Sequence, residues 1–180
     1  MGTAFSIHRT TEDDWPLVRE LRIENATDNP ISYGATLETT LAMTEDDWRL
    51  RARRGQAVDA TSLAAVDDTS GRWIGMMSAQ SGDTDGTDPV LTGVFVSLAF
   101  RGRAHGVADA LLGGIVDWAD RRGATRLRLY VHEHGTPARR FYARHGFVPT
   151  GRTRPVGFTE GTTLEMARPL GQVERGAVRS

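Results

Sequence analysis

The run Arg101-Gly102-Arg103-Ala104-His105-Gly106-Val107-Ala108 joins three properties that suit an anion. Small residues let backbone N–H groups approach a ligand closely, and two arginines add charge-assisted donors. An apolar helical period begins at Val107, so the run ends at a helix N-terminus, with its unsatisfied N–H groups and positive dipole end. The chemistry is that of a pyrophosphate cradle. A nucleotide-phosphate site of another fold is disfavoured, because neither a Lys-Ser/Thr ending nor a dinucleotide glycine pattern accompanies the run. His132 and His134 alternate at a strand end, but no third ligand follows at metal-site spacing, so a surface pair is expected. The chain has no cysteine, which excludes disulfides, thiolate metal sites and a cysteine nucleophile and is compatible with a reducing compartment. No metal is expected.

The cradle must be held by a strand before it and a helix after it. Val90 to Ser97 reads as that strand, and Ala108, Leu111, Ile115, Trp118 and Ala119 give the following helix an apolar face that Gly123 ends. Upstream, Phe5 to Arg9 alternates as a first strand. Thr10 to Asp14 then offers caps for a helix with Leu17, Val18 and Leu21 on its apolar face and Pro16 in its opening turns. Asn29-Pro30 ends it. Ile31 to Met43 reads as irregular, and Thr44 to Asp47 caps a second helix carrying Trp48 and Leu50. Its arginine-rich end, Arg51, Arg53 and Arg54, reads as solvated and complementary to the helix dipole. Ser62 to Val66 and Trp73 to Gln80 form a hairpin across Asp67 to Gly71, and Ser81 to Asp88 is a loop. Arg126 to His132 is a strand and Thr136 to His145 a helix; a final antiparallel pair follows Phe147, with Thr162 to Met166 as its second member.

The order β-α-α-β-β-β-α-β-α-β-β contains one right-handed crossover, which places two parallel strands inside an otherwise antiparallel sheet. The fold class is α/β with a mixed, partly open sheet. With 180 residues and no linker or repeat, one domain is expected over residues 1–170, followed by a disordered tail at 171–180. The net charge of −1 argues against nucleic acid as a partner. The absence of a secretory pattern after Met1 and of eighteen consecutive apolar residues argues against a membrane, so a soluble cytoplasmic protein is expected.

Arg103-Ala104-His105-Gly106-Val107-Ala108 resembles the Gln/Arg-x-x-Gly-x-Gly/Ala cradle of the Gcn5-related N-acetyltransferase (GNAT) family, and stands on the same fourth strand-to-helix turn. Ala138-Arg139-Arg140-Phe141-Tyr142-Ala143-Arg144-His145-Gly146-Phe147 is similar to that family's Ala-x-x-Phe-Tyr-x-x-x-Gly-Phe helix and turn. The two patterns occur in the family's order, one helix and one strand apart.

The resemblance implies transfer of an acetyl group from acetyl-CoA to a primary amine by direct attack in a ternary complex. It implies a GNAT fold with splayed parallel strands 4 and 5, in which Val94 and Val96 bond the pantetheine arm. It places Arg103, Ala104, His105, Gly106, Val107 and Ala108 on the pyrophosphate, with Arg101 as an additional cation just outside the frame. Tyr142 falls where the family has the acid that protonates the departing thiolate; a phenol of pKa about 10 can do so without prior ionisation. Two departures stand out. Gly135 replaces a common Asn on the CoA arm, and Val90 to Val96 contains no carboxylate to serve as base. Glu38, Glu133, His132 and His134 are the base candidates, with Glu38 favoured because the segment after the first helix often lines the acceptor pocket in this family. Tyr33, Glu38 and Trp48 are candidates for shaping that pocket. A small-molecule acceptor is favoured. A protein or peptide amine, and a non-catalytic acyl-CoA-binding or sensing module, are the alternatives. Pairing of the final strands across a two-fold axis would give a homodimer.

Overall fold

A computed structural model of the chain describes residues 2–171; the expected tail at 171–180 lies, but for Gly171, outside the described residues. The strands are β1 (Phe5–Arg9), β2 (Ala60–Asp67), β3 (Trp73–Gln80), β4 (Val90–Val96), β5 (Arg126–His132), β6 (Val148–Pro155) and β7 (Thr162–Pro169). The α-helices are α1 (Trp15–Asp28), α2 (Pro30–Tyr33), α3 (Leu37–Leu41), α4 (Glu45–Ala52), α5 (Val107–Arg121) and α6 (Thr136–Arg144). All seven strands form one sheet in the order β1-β2-β3-β4-β5-β7-β6. Every pairing is antiparallel except β4 with β5, as the single crossover through α5 requires. Among the described residues no helix is long and apolar enough to cross a membrane.

Each face of the sheet carries its own core. On one, Val107, Leu111, Leu112, Ile115 and Trp118 of α5 pack on Leu63, Met77, Leu91, Leu127 and Leu129, and α6 joins them through Tyr142. Full burial of each large aliphatic side chain contributes about 1.5–3 kcal/mol, so the apolar stripe of α5 is a sufficient reason for its docking. Gly114 permits the close approach, since a Cβ there would lie 2.5 Å from Cδ1 of Leu63. On the other face, Val18 and Leu21 of α1 and Trp48 and Ala52 of α4 cover Ala64, Trp73, Met76 and Phe95.

The start of α1 follows its sequence signals. Thr11 and Asp14 form a reciprocal capping box over a short 3-10 turn, and Pro16 occupies the first turn. Leu17, however, points outward, and the buried stripe of α1 is Val18, Leu21, Arg22, Asn25 and Ala26. The expectation of an irregular Ile31–Met43 is also corrected, because α2 and α3 form there. Thr36 explains α3: its Oγ1 accepts from the Thr39 N–H at 3.1 Å, and its carbonyl accepts from the Thr40 hydroxyl at 2.7 Å, so local threonine bonds replace an apolar period.

At the other end of the sheet a buried ionic network ties β5, β7, β6 and the 83–88 loop together. Arg128, fully buried, meets Glu165 at 3.1 Å and Asp83 at 2.8 Å. Tyr130 donates to Glu165 at 2.8 Å, and Arg154 reaches Asp83 at 2.9 Å. Burial alone would raise the Glu165 carboxyl, but bonds from Thr150, Tyr130 and Arg128 outweigh it and hold the group below its ordinary value.

Candidate active site

The two parallel strands separate. β4 pairs with β5 only at Val90–Arg128 and Leu91–Leu129, so from Thr92 onward its second edge has no strand beside it. The cause lies on its other edge. Between Met76–Phe95 and Ser78–Thr92 the register against β3 slips, so that Gly93 and Val94 together oppose Met77. Gly93 has φ of +60°, the left-handed conformation that a glycine bulge needs. The bulge bends β4 away from β5, and the backbone beyond it faces an open cleft.

The cradle closes the end of that cleft. Gly106 has φ of +70° and caps α5 with no side-chain bond to the helix amides. Among the described residues, the N–H groups of Arg103, Ala104, Gly106, Val107 and Ala108 have no hydrogen-bond acceptor, whereas that of His105 donates to the Gly102 carbonyl at 3.2 Å. A Cβ on Gly102 or Gly106 would meet nothing within 4 Å, so the space over the turn is open. His105 is held from the side, with Nδ1 2.7 Å from the Thr3 hydroxyl and its ring against Phe100. Arg101 is already engaged. It donates to the Val96 carbonyl at 2.8 Å and pairs with Asp28 at 2.5 Å, which anchors the turn to the end of α1. Arg103 is exposed and has no charged partner among the described residues.

Tyr142 sits on α6 with 6% of its surface exposed, in the apolar cluster that includes Val96 and that Val94 packs against. Phe141 and Phe147 pack edge-on against its ring at 5.4 and 5.7 Å. Its hydroxyl has no hydrogen-bond partner among the described residues, and burial pushes the phenol pKa up. It is a neutral donor at physiological pH.

A splayed β4–β5 pair, an open αL-capped cradle at its end and a buried tyrosine beside it agree with a family match. The model of the acetyltransferase (GNAT) family matches residues 18–147. The chain belongs to the GNAT acetyltransferase family. Solved structures agree in fold. The putative acetyltransferase yncA from Salmonella typhimurium, with its cofactor acetyl-CoA, has a TM-score of 0.75 at 17% identity over 98% of this chain and 100% of that one. The PaiA N-acetyltransferase from Thermoplasma acidophilum, in complex with coenzyme A, has a TM-score of 0.71 at 17% identity, covering 92% of this chain and 99% of that one. NAA60 from Arabidopsis thaliana, in complex with a bisubstrate analogue, gives 0.67 at 18% identity over 93% and 100%. No curated protein sequence matches the chain.

This GNAT chain also shows why Gly135 stands where the family often has Asn. It begins α6 beneath the end of β5, where a Cβ would lie only 3.1 Å from the His132 carbonyl oxygen and 3.4 Å from Val131. Three of the base candidates, His132, Glu133 and His134, stand together at the end of β5, and the fourth, Glu38, is on α3. Glu38 is exposed in the first turn of α3. Glu133 accepts from the Thr162 N–H at 3.0 Å and secures the β5–β7 junction. His132 accepts at Nδ1 from the His134 N–H at 3.1 Å, so its neutral tautomer carries the proton on Nε2, which is buried without a partner. His134 is exposed, with its ring 5.5 Å from that of His132. Among the described residues no group of three His, Asp or Glu side chains could hold a metal ion.

The sheet face under α1 holds polar groups that sequence reasoning missed. Arg22, 5% exposed, lies against the bulge, and a Cβ on Gly93 would come within 2.5 Å of its Nη2. Its guanidinium is 5.8 Å from the centre of the Tyr33 ring. Trp48 is core, as its helical spacing suggests. Arg51 and Arg54 do more than complement the helix dipole, because their charges act on Arg22. A signal existed in the sequence: Val18, Leu21, Arg22 and Asn25 occupy the i, i+3, i+4, i+7 positions of a buried stripe, and two of the four are polar.

Proposed function

We propose that this acetyltransferase moves the acetyl group of acetyl-CoA to the primary amine of a small molecule, by direct attack within a ternary complex, in the cytoplasm. The observation that carries the reading is the unpaired edge of β4 running from the Gly93 bulge to the open helix N-terminus at Gly106. The free amides of Arg103 to Ala108, with the Arg103 side chain, suit a pyrophosphate; His105 contributes its ring packing rather than its amide. Arg101 positions the turn through Asp28 and Val96. The backbone at Val94 and Val96 would bond the pantetheine amides as a missing neighbour strand does, with a bulge N–H polarising the thioester carbonyl. When bound, acetyl-CoA supplies the activated acetyl group.

The chain's own residues then need to orient the amine, stabilise an oxyanion and return one proton. Tyr142 suits the last task, since its high pKa keeps it protonated and its hydroxyl is uncommitted. Glu38 is the proposed acceptor of the ammonium proton through water, given that Glu133 is already bonded and the His132 Nε2 is protonated. Positioning contributes on the order of 7 kcal/mol or more to such a reaction, so no stronger base is required. Two copies would pair along β6, an edge strand whose side chains are nearly all exposed.

Calorimetric titration with acetyl-CoA tests the reading, comparing the native protein with Arg103→Ala/Gly106→Trp. Specific binding that the folded double variant lacks is expected, followed by thiol release with an amine library. Absence of binding to the folded native protein overturns the cofactor site. Binding without thiol release from any amine makes the protein an acyl-CoA-binding or sensing module.

A further inference from the structure

The geometry points to an acceptor that carries a carboxylate within a few bonds of its amine, an α-amino acid or a close analogue, with Arg22 as the residue that binds the carboxylate. The inference rests on the acetyl-transfer reading for the position of the amine and on Arg22 itself for the charge. Arg22 is buried, yet no Asp or Glu among the described residues pairs with it, and Nη1 has no hydrogen-bond partner. Further unsatisfied groups lie on the residues next to it in the fold: Tyr33 under its guanidinium, Asn25 on the same buried stripe of α1, and Thr92 next to Gly93 on β4. The Tyr33 hydroxyl, both amide atoms of Asn25 and the Thr92 hydroxyl are buried without partners. Groups of this kind are almost always satisfied in a folded protein, by ordered water or by a ligand, and the buried guanidinium among them is the one that favours an anion.

The surrounding charges give the ligand its sign. The Arg22 pKa is lowered to about 10, chiefly by burial; Tyr33 opposes the shift, and the neighbouring Arg51 and Arg54 add to it, so no carboxylate relieves the charge. A carboxylate is the natural complement to a guanidinium, which offers it a planar, two-pronged set of donors. Position gives the ligand its length. Arg22 touches β4 at Gly93, in the bulge beside which the proposed function puts the thioester carbonyl. In an α-amino acid the nitrogen and the carboxylate carbon are about 2.5 Å apart. A carboxylate on Arg22 therefore keeps the amine next to the acyl carbon. A polyamine or a lysine side chain of a protein has no group to place there.

The test is calorimetric titration into protein saturated with CoA, using the common L-amino acids and, for each, its carboxamide and its decarboxylated amine. At least one free amino acid should bind roughly 10- to 100-fold more tightly than its two neutralised counterparts. Arg22→Met should abolish that difference, and Arg22→Lys should restore part of it. A thiol-release assay on the same panel should show the preference in kcat/KM. Equal binding of acid, amide and amine, or a preference that Arg22→Met leaves intact, overturns the assignment. Saturation with CoA is measured first. If CoA does not bind, the acetyltransferase reading fails on that observation alone, and the same amino acids are titrated into the free protein. Arg22-dependent binding there preserves the anion site, and its absence removes it. Stability of Arg22→Met separates the site from a structural role, since loss of binding in a variant at least as stable as the native protein reports on recognition.

Discussion

Replacing Arg22 with Met should stabilise the protein in the absence of ligand. In the native fold the guanidinium pKa falls well below its ordinary value, to about 10, chiefly because burial penalises the charge. At neutral pH that difference corresponds to a cost on the order of 3 kcal/mol. Methionine removes the charge and keeps most of the apolar stem. It also forfeits the contact with the Tyr33 ring at 5.8 Å, worth about 0.5–1 kcal/mol, and some packing volume. The net gain should be about 1–2 kcal/mol, or roughly 3–6 °C in melting temperature. Urea unfolding at pH 7 should show a higher midpoint with an unchanged slope. The pH dependence has a definite sign. Arg22 binds its proton less tightly folded than unfolded, so the native penalty is complete at pH 7 and shrinks as pH rises through about 10. Native and variant stabilities should converge above that pH. Destabilisation of Arg22→Met by more than about 1 kcal/mol at pH 7 would refute the reasoning, because it would mean that the guanidinium has a favourable partner in the native state.

Tyr142→Phe should lower kcat by roughly 100-fold or more while leaving acetyl-CoA affinity and folding stability nearly unchanged, since the hydroxyl has no protein partner; thiol-release kinetics and urea unfolding check both halves. Because burial raises the phenol pKa, the native rate should increase with pH as the amine loses its proton and show no alkaline fall before pH 10, measured as kcat/KM against pH. Glu165→Gln should cost about 1–3 kcal/mol, because Arg128 loses one of its two buried carboxylates and keeps the other, Asp83, at 2.8 Å; denaturant unfolding at pH 7 reads it. Glu165 is held below its usual 4.5 in the fold, so its stabilisation is complete above that value and lost as pH falls below it. The native acid limb should therefore be steeper than that of the Gln variant. Gly93→Ala should destabilise the fold by about 2 kcal/mol, from a forced positive φ and a Cβ 2.5 Å from the Arg22 guanidinium, and should weaken the amino acid preference with it.

The cradle and the Tyr142 helix were legible in the sequence because both are local. Turn chemistry, a left-handed glycine and a helix period act within about ten residues, and the structure keeps Gly106 as the αL cap of α5 and Tyr142 on α6. The α5 stripe, the β2–β3 hairpin and the two last strands were legible for the same reason. The helices between Ile31 and Met43 were hidden by an absence of apolar period, and threonine bonds such as that of Thr36 to Thr39 made α3 instead.

The sequence by itself determined the two patterns that mark the family, the order of the strands and the sign of charge at the Arg101–Arg103 turn, since each depends on neighbours along the chain. Only the tertiary structure decided the acceptor side. The bulge at Gly93 is a mismatch in count between β3 and β4, and the opening beyond Leu91 is a loss of pairing between β4 and β5; both are relations between strands. Arg22 looks like an ordinary polar residue on a helix until α1 is laid across the sheet. That packing removes water from the guanidinium without supplying a carboxylate, and a buried charge left in that state is what gives the cleft its demand for an anion.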